Sequence, residues 1–142
     1  MRTNRFLAAT SVFLLFVPLA GCRSSAEKER IAADEAAAVT HLQAFTSAQA
    51  SFNEARNHYA CTIAELAGEP GVLSQEMSTG KMDGYAFTIH CLPQTGLSTY
   101  QIWATPLQRG QSGVHLYCSD QSGALGRAEH LLEYCKQATP IR

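Results

Sequence analysis

Val39-Thr40-His41-Leu42-Gln43-Ala44-Phe45-Thr46-Ser47-Ala48-Gln49-Ala50-Ser51-Phe52-Asn53-Glu54-Ala55-Arg56-Asn57-His58-Tyr59 decides how the rest of this chain is built. Leu42, Phe45, Ala48, Phe52, Ala55 and Tyr59 recur three or four residues apart, the spacing that aligns side chains along one side of a helix. Ala38 and Ile31 carry the same stripe upstream. The opposite side, with Thr40, Gln43, Ser47, Ser51, Glu54 and Asn57, is polar. Leu42, Phe45, Phe52 and Tyr59 are bulky enough to hold a sheet, so the spacing predicts an amphipathic helix that is the floor of a globular fold. Its start is expected at Ser24-Ser25-Ala26-Glu27, which has the Ser-x-x-Glu form of a capping box. The first turns, Glu27 to Glu35, are charged and rich in alanine, with high helix propensity and little to bury. They read as a solvated stalk. Some 35 helical residues would make a rod of about 50 Å, too long to be covered along its whole length, so one end should project.

The chain has 142 residues, the size of one domain, and its first 21 read as a segment that is removed. Arg2 and Arg5 precede an apolar run from Phe6 to Ala20, shorter than the roughly 18–20 residues of a membrane span, which ends in small residues. That is the pattern of a secretory signal peptide over residues 1–21. Leu19-Ala20-Gly21-Cys22, with the charged and apolar regions ahead of it, resembles the lipobox of bacterial lipoproteins. The resemblance implies a diacylglycerol thioether on Cys22 and acylation of its freed amine with a chain of the palmitate kind. Two or three acyl chains, each contributing about 0.8 kcal/mol per buried methylene, hold a protein firmly at a membrane. Arg23 stands where the inner-membrane retention signal would place Asp. The resemblance therefore implies an anchor in the outer membrane, facing the periplasm.

Without Arg2 and Arg5 the 11 Lys and Arg fall to nine, against 12 Asp and Glu, so the mature chain is mildly acidic. With no basic stripe it exerts little pull on nucleic acid. Four cysteines remain after Cys22: Cys61, Cys91, Cys118 and Cys135. An even number in an exported domain points to two disulfides, for which the sequence allows three connectivities.

Downstream of the long helix, Cys61 to Leu66 reads as a short helical piece capped near Thr62 and ended by Gly68, Pro70 and Gly71. Val72 to Gly84 reads as a polar connection with one helical turn near Ser74 to Met77. Three stretches alternate as strands do: Tyr85 to Cys91, Thr99 to Thr105, stopped by Pro106, and Val114 to Cys118. In the last, Val114, Leu116 and Cys118 share a face. Short links between them favour an antiparallel meander lying on the long helix. Ser119 to Gly123 reads as a turn, and Ala128 to Lys136 as a short C-terminal helix stopped before Pro140.

This layout, together with Gly84-Tyr85-Ala86-Phe87-Thr88, Tyr100 to Pro106, Tyr117-Cys118-Ser119-Asp120-Gln121-Ser122-Gly123 and the helix segment Phe45 to Phe52, resembles the globular half of type IV pilins and pseudopilins. The resemblance covers roughly residues 38–127. It implies an α+β fold, a long N-terminal helix packed on a three-stranded antiparallel sheet. The start of the chain departs from that family. Pilins keep an apolar helix after a glycine cleavage site, whereas here the apolar run precedes Cys22 and Glu27-Lys28-Glu29-Arg30 opens the mature helix.

Five histidines and four cysteines invite a metal or thiol reading, but no Cys or His pair has the tight spacing of a zinc site. Ser119-Asp120-Gln121 lacks the Ser-x-x-Lys partner of a penicillin-binding enzyme, and no G-x-S-x-G, P-loop or dinucleotide motif is present. No cofactor, metal or catalytic residue is expected. Cys91 closes the inward face of the first strand and Cys61 ends the helix beneath it, which favours Cys61–Cys91 and leaves Cys118–Cys135. His90, Trp103, His115 and Tyr117 form a candidate interaction face on the outer side of the sheet. The expected organisation is a signal peptide (1–21), a lipid-anchored stalk (22–38) and a pilin-like α+β head (39–142) with a short C-terminal helix. Its expected role is that of a non-enzymatic envelope protein, held by acyl chains on Cys22 and acting on an envelope partner. A small-ligand or peptide-binding module and an atypical minor pilin of a pilus or type II secretion system are the alternatives.

Overall fold

Ser24 accepts a hydrogen bond from the Glu27 backbone N–H at 3.3 Å, and helix α1 runs from Ser25 to Arg56. The computed structural model describes residues 24–92 and 99–141. Asn57, in the left-handed conformation with its N–H on Asn53 O, closes α1 two residues before Tyr59. The chain then turns back, and the turn is fixed from inside. Buried Gln49 accepts from Ala60 N at 2.9 Å and donates to Ala60 O at 2.7 Å. A short helix, α2 (Ile63–Ala67), follows, with Thr62 as its cap.

The sheet has six antiparallel strands rather than the expected three, in sequence order: β1 (Lys81–Met82), β2 (Tyr85–Leu92), β3 (Thr99–Pro106), β4 (Leu116–Asp120), β5 (Leu125–Ala128) and β6 (Thr139–Pro140). The α+β class holds, and the meander is twice as wide. Strands β1 and β2 form a hairpin around Asp83 and Gly84, both at positive φ, the two-residue turn whose twist suits a hairpin. Strand β5 pairs with β4, and β6 pairs with β5.

The expected C-terminal helix over Ala128 to Lys136 is absent. Ala128 ends β5, and the only helical turn there is a short 3-10 turn at Cys135–Gln137. Pairing along the β4 edge and cover of the sheet's second face outweigh the weak helical spacing of Leu131 and Leu132. Gly126 makes the close approach possible, because a Cβ there would lie 2.6 Å from Ala138 Cβ.

Two cores lie on opposite faces of the sheet. In register, Phe87 faces Ala104 and Ile89 faces Ile102, while Ala104 faces Tyr117. These side chains pack on Leu42, Phe45 and Phe52 of α1, with Phe45 and Phe87 rings 5.3 Å apart. On the other face Trp103, Leu116, Cys118 and Ala128 form a smaller core, covered by Leu132, Cys135 and Ala138. Leu116 and Cys118 thus point away from α1, and Tyr117 and Ser119 point toward it. Each core carries one disulfide nearby: Cys61–Cys91 joins the connection between α1 and α2 to β2, and Cys118–Cys135 pins the C-terminal segment. Each such bridge typically contributes about 2–4 kcal/mol. No helix among the described residues is long and apolar enough to cross a membrane.

Leu42 and Phe45 are fully buried. Truncating either to alanine is expected to lower the unfolding free energy by about 2–5 kcal/mol, whereas Ser51→Ala on the exposed side changes it by less than about 0.5 kcal/mol. Urea unfolding with the disulfides intact measures both, and equal losses at the three positions would contradict this placement of the core.

Candidate functional site at the Glu35 clamp

Glu35 sits on α1 between Ile31 and Ala38, on the side that faces the sheet. Its Oε1 accepts from Val114 N at 2.7 Å, His115 N at 3.2 Å and His115 Nδ1 at 3.1 Å, and its Oε2 accepts from the Tyr117 hydroxyl at 3.1 Å. The second imidazole nitrogen lies 3.3 Å from Glu129 Oε1, and Glu129 Oε2 is 3.6 Å from Arg109. Beneath the histidine, Tyr85 donates its hydroxyl hydrogen to His115 O at 3.0 Å. One carboxylate on the helix therefore fastens the chain entering β4. The β3–β4 connection, the start of β4 and the residue after β5 all meet at this point.

The electrostatics follow from the geometry. Burial by itself raises the Glu35 pKa, but the Val114 and His115 N–H groups, the imidazole and the Tyr117 hydroxyl together hold it below its ordinary value. Burial and the nearby Glu35 charge push the Tyr85 and Tyr117 hydroxyls well above the usual tyrosine range, so both remain protonated donors. Tyr100, buried against Tyr59 at the other end of the core, is pushed up to about 12, chiefly by desolvation. The Glu35 carboxylate, with its donors already in place, acts as a fixed structural acceptor.

The four residues expected to share an outer face are separated. His90 is exposed on the face away from α1. Trp103 lies on that face too, but it is 1% exposed beneath the C-terminal segment, and its indole N–H has no partner there. Tyr117 belongs to the helix side, and His115 precedes β4 and is tied to Glu35. Cys61, Cys91, Cys118 and Cys135 form the two disulfides already described. Cys22 lies outside the described residues.

Two residues that sequence reasoning passed over carry the fastening. Glu35 was expected in a solvated stalk, yet its spacing from Ile31, Ala38 and Leu42 places a charge on the apolar stripe, a signal of a paired buried group. Gln101 donates to Glu133 O at 3.0 Å and accepts from Cys135 N at 3.1 Å, which holds the cover over Trp103. Shallow hollows flank these groups, one of them lined by Glu129 and another by Gln101 and Cys135. A further one of about 330 Å³ lies among Phe52, Arg56, His58, Glu65 and Glu69, open to solvent and edged by the Arg56–Glu69 ion pair at 2.7 Å. Among the described residues no cluster of three His, Cys, Asp or Glu is arranged to hold a metal ion. No protein-family model matches the chain, and no curated protein or solved structure matches it either.

Glu35→Ala leaves several inward donors unpaired and is expected to cost about 2–4 kcal/mol of stability. Because the folded pKa of Glu35 is depressed, its charge-dependent contribution is present above the unfolded value of 4.5 and is lost as pH falls through the folded pKa. The stability advantage of the wild type over Glu35→Gln should therefore shrink on acidification below pH 4.5. Thermal unfolding of both proteins across that range measures it, and a difference independent of pH would contradict the clamp.

Proposed function

We propose that this chain is a non-enzymatic, lipid-anchored protein of the bacterial envelope, with a pilin-like α+β head that has a structural or interaction role in the periplasm. The observation that carries the reading is Leu19-Ala20-Gly21-Cys22, three residues ahead of a helix that starts at Ser25. An acylated Cys22 would pass almost directly into α1, and α1 passes directly into the head. Arg23 after the cysteine favours the outer membrane. Support for a pilin-like head comes from the sequence resemblance and from a long helix lying across an antiparallel meander. The charged opening turn of α1 favours a protein displayed from lipid over one packed into a filament core.

A non-enzymatic role is supported by how the chemically capable groups are engaged. Glu35 and His115 fasten the fold, and Cys61, Cys91, Cys118 and Cys135 are paired. Trp103 and Tyr117, on opposite faces and buried, offer no common surface to a small ligand. An interaction role rests instead on the exposed surface and its fixed position close to a membrane.

Mass spectrometry of the mature protein from its native membrane tests this reading. The expected chain begins at Cys22 and carries a diacylglyceryl group and an amide-linked acyl chain, and Cys22→Ser moves the protein from the membrane fraction to the soluble one. An uncut leader, or an N-methylated residue at the start of a retained apolar helix, would contradict it.

A further inference from the structure

The two large apolar side chains that stand exposed among the described residues are Leu107, 51% exposed, and Leu131, 65% exposed. Each is two residues from one member of the Arg109–Glu129 ion pair, so both belong to one corner of the fold. That corner adjoins the Glu35 clamp, where Glu129 also meets His115. It therefore sits toward the end of the head at which α1 begins. Singly exposed leucines are ordinary on protein surfaces. What distinguishes these is their shared position relative to the anchor.

Ser25 to Glu35 is about 15 Å of helix, and the three residues from Cys22 to Ser25 span at most about 10 Å. The corner is thus held within a few tens of ångströms of the acylated residue. A tether of that length turns a weak surface contact into an intramolecular one, at an effective concentration that a free protein would not reach. The loop bearing Leu107 is also held in shape. Leu107 N–H donates to Gly84 O at 2.8 Å, Gly110 N–H to Gly113 O at 2.6 Å, and Ser112 closes on Gln108. A preorganised loop loses little freedom on docking.

We propose that this corner, tipped by Leu107 and Leu131, is a second contact of the head with the phospholipid bilayer. The proposal rests on the lipid-anchor reading given above. Charges nearby are mixed, with Arg109 beside Glu129 and Lys28 and Arg30 beside Glu27 and Glu29. A zwitterionic phospholipid surface fits that balance, and the contact should persist at high salt. Docking through the corner brings the head down beside the lipid, with the β4–β5 turn at Gln121 directed away.

The experiment adds one tryptophan at a time to the mature acylated protein, beside the native Trp103, on phosphatidylethanolamine–phosphatidylcholine vesicles with and without brominated acyl chains. Leu107→Trp and Leu131→Trp should lose emission on the brominated vesicles relative to the wild-type Trp103 background, and exposed Gln121→Trp should not. A wild-type measurement needs no change at the corner. Trypsin cleavage after Arg109 should be slower in the acylated protein on vesicles than in soluble Cys22→Ser. Reporters at Leu107 and Leu131 that stay unquenched in protein shown by mass to be acylated, or an unchanged cleavage rate, would overturn this inference and leave the anchor standing. A mature chain without acyl mass would overturn the anchor and, with it, this inference. Equal quenching at Gln121 would show a head lying at random, which also overturns it.

Discussion

A single carboxylate surrounded by donors governs how the long helix meets the sheet. Glu35 lies on the apolar stripe of α1, where burying a charge without partners would be prohibitive. Two backbone N–H groups, an imidazole and a phenol satisfy it. That arrangement fixes several features together. Val114 and His115 spend their N–H groups on the carboxylate, so the strand that follows starts at Leu116. The start of the strand sets its register against β3, and the register turns Tyr117 and Ser119 toward the helix. Thr46 of α1 then donates to Ser119 Oγ at 3.0 Å, which continues the helix–sheet contact along the strand.

The second constraint is that both faces of the sheet are covered. Antiparallel sheets often leave one face to water, but β3 here has apolar residues on both sides, Ile102 inward and Trp103 outward. The C-terminal segment answers the outward side. It is held by the Cys118–Cys135 bridge, by Gln101 reaching Glu133 and Cys135, and by the close passage of Ala138 over Gly126. The aromatic group that looks most like a binding surface in the sequence is thereby converted into core. What remains outward is mostly polar, apart from the corner near the origin of α1.

Elements whose own residues carry a regular apolar period were legible in the sequence. The α1 stripe, the alternation of Tyr85 to Cys91 and that of Thr99 to Thr105 each correspond to an element of the fold. Elements fixed by neighbours were not. Strand β5 is Leu125-Gly126-Arg127-Ala128, with no alternation to read, and it exists because β4 offers an edge. Strand β6 contains a proline and pairs through two residues only. The β1–β2 hairpin carried a readable signal, Asp83-Gly84, that the polar surroundings obscured. At the site, Glu35 and Gln49 shared one pattern, a polar side chain on an apolar stripe, and in both cases the structure supplies partners, part-buried around Glu35 and fully buried around Gln49. Reading such residues as tethers rather than as interruptions would have located the clamp. Tyr117 and Trp103 lie on opposite faces because Leu116 and Cys118, the more apolar set of the third strand, cover Trp103 on the outer face, while Tyr117 and Ser119 turn toward α1; apolar character alone points the strand the other way round.

Hydrogen exchange of the α1 amides in the soluble Cys22→Ser protein measures directly where α1 stops being a spacer and becomes part of the head. The amides of residues 25–30 should exchange rapidly, and slow exchange should set in between Ile31 and Ala38, reaching the protection of Leu42 and Phe45 within one turn beyond the clamp. Rapid exchange continuing through Ala38, with protection only from Leu42 onward, would contradict a helix fastened at Glu35.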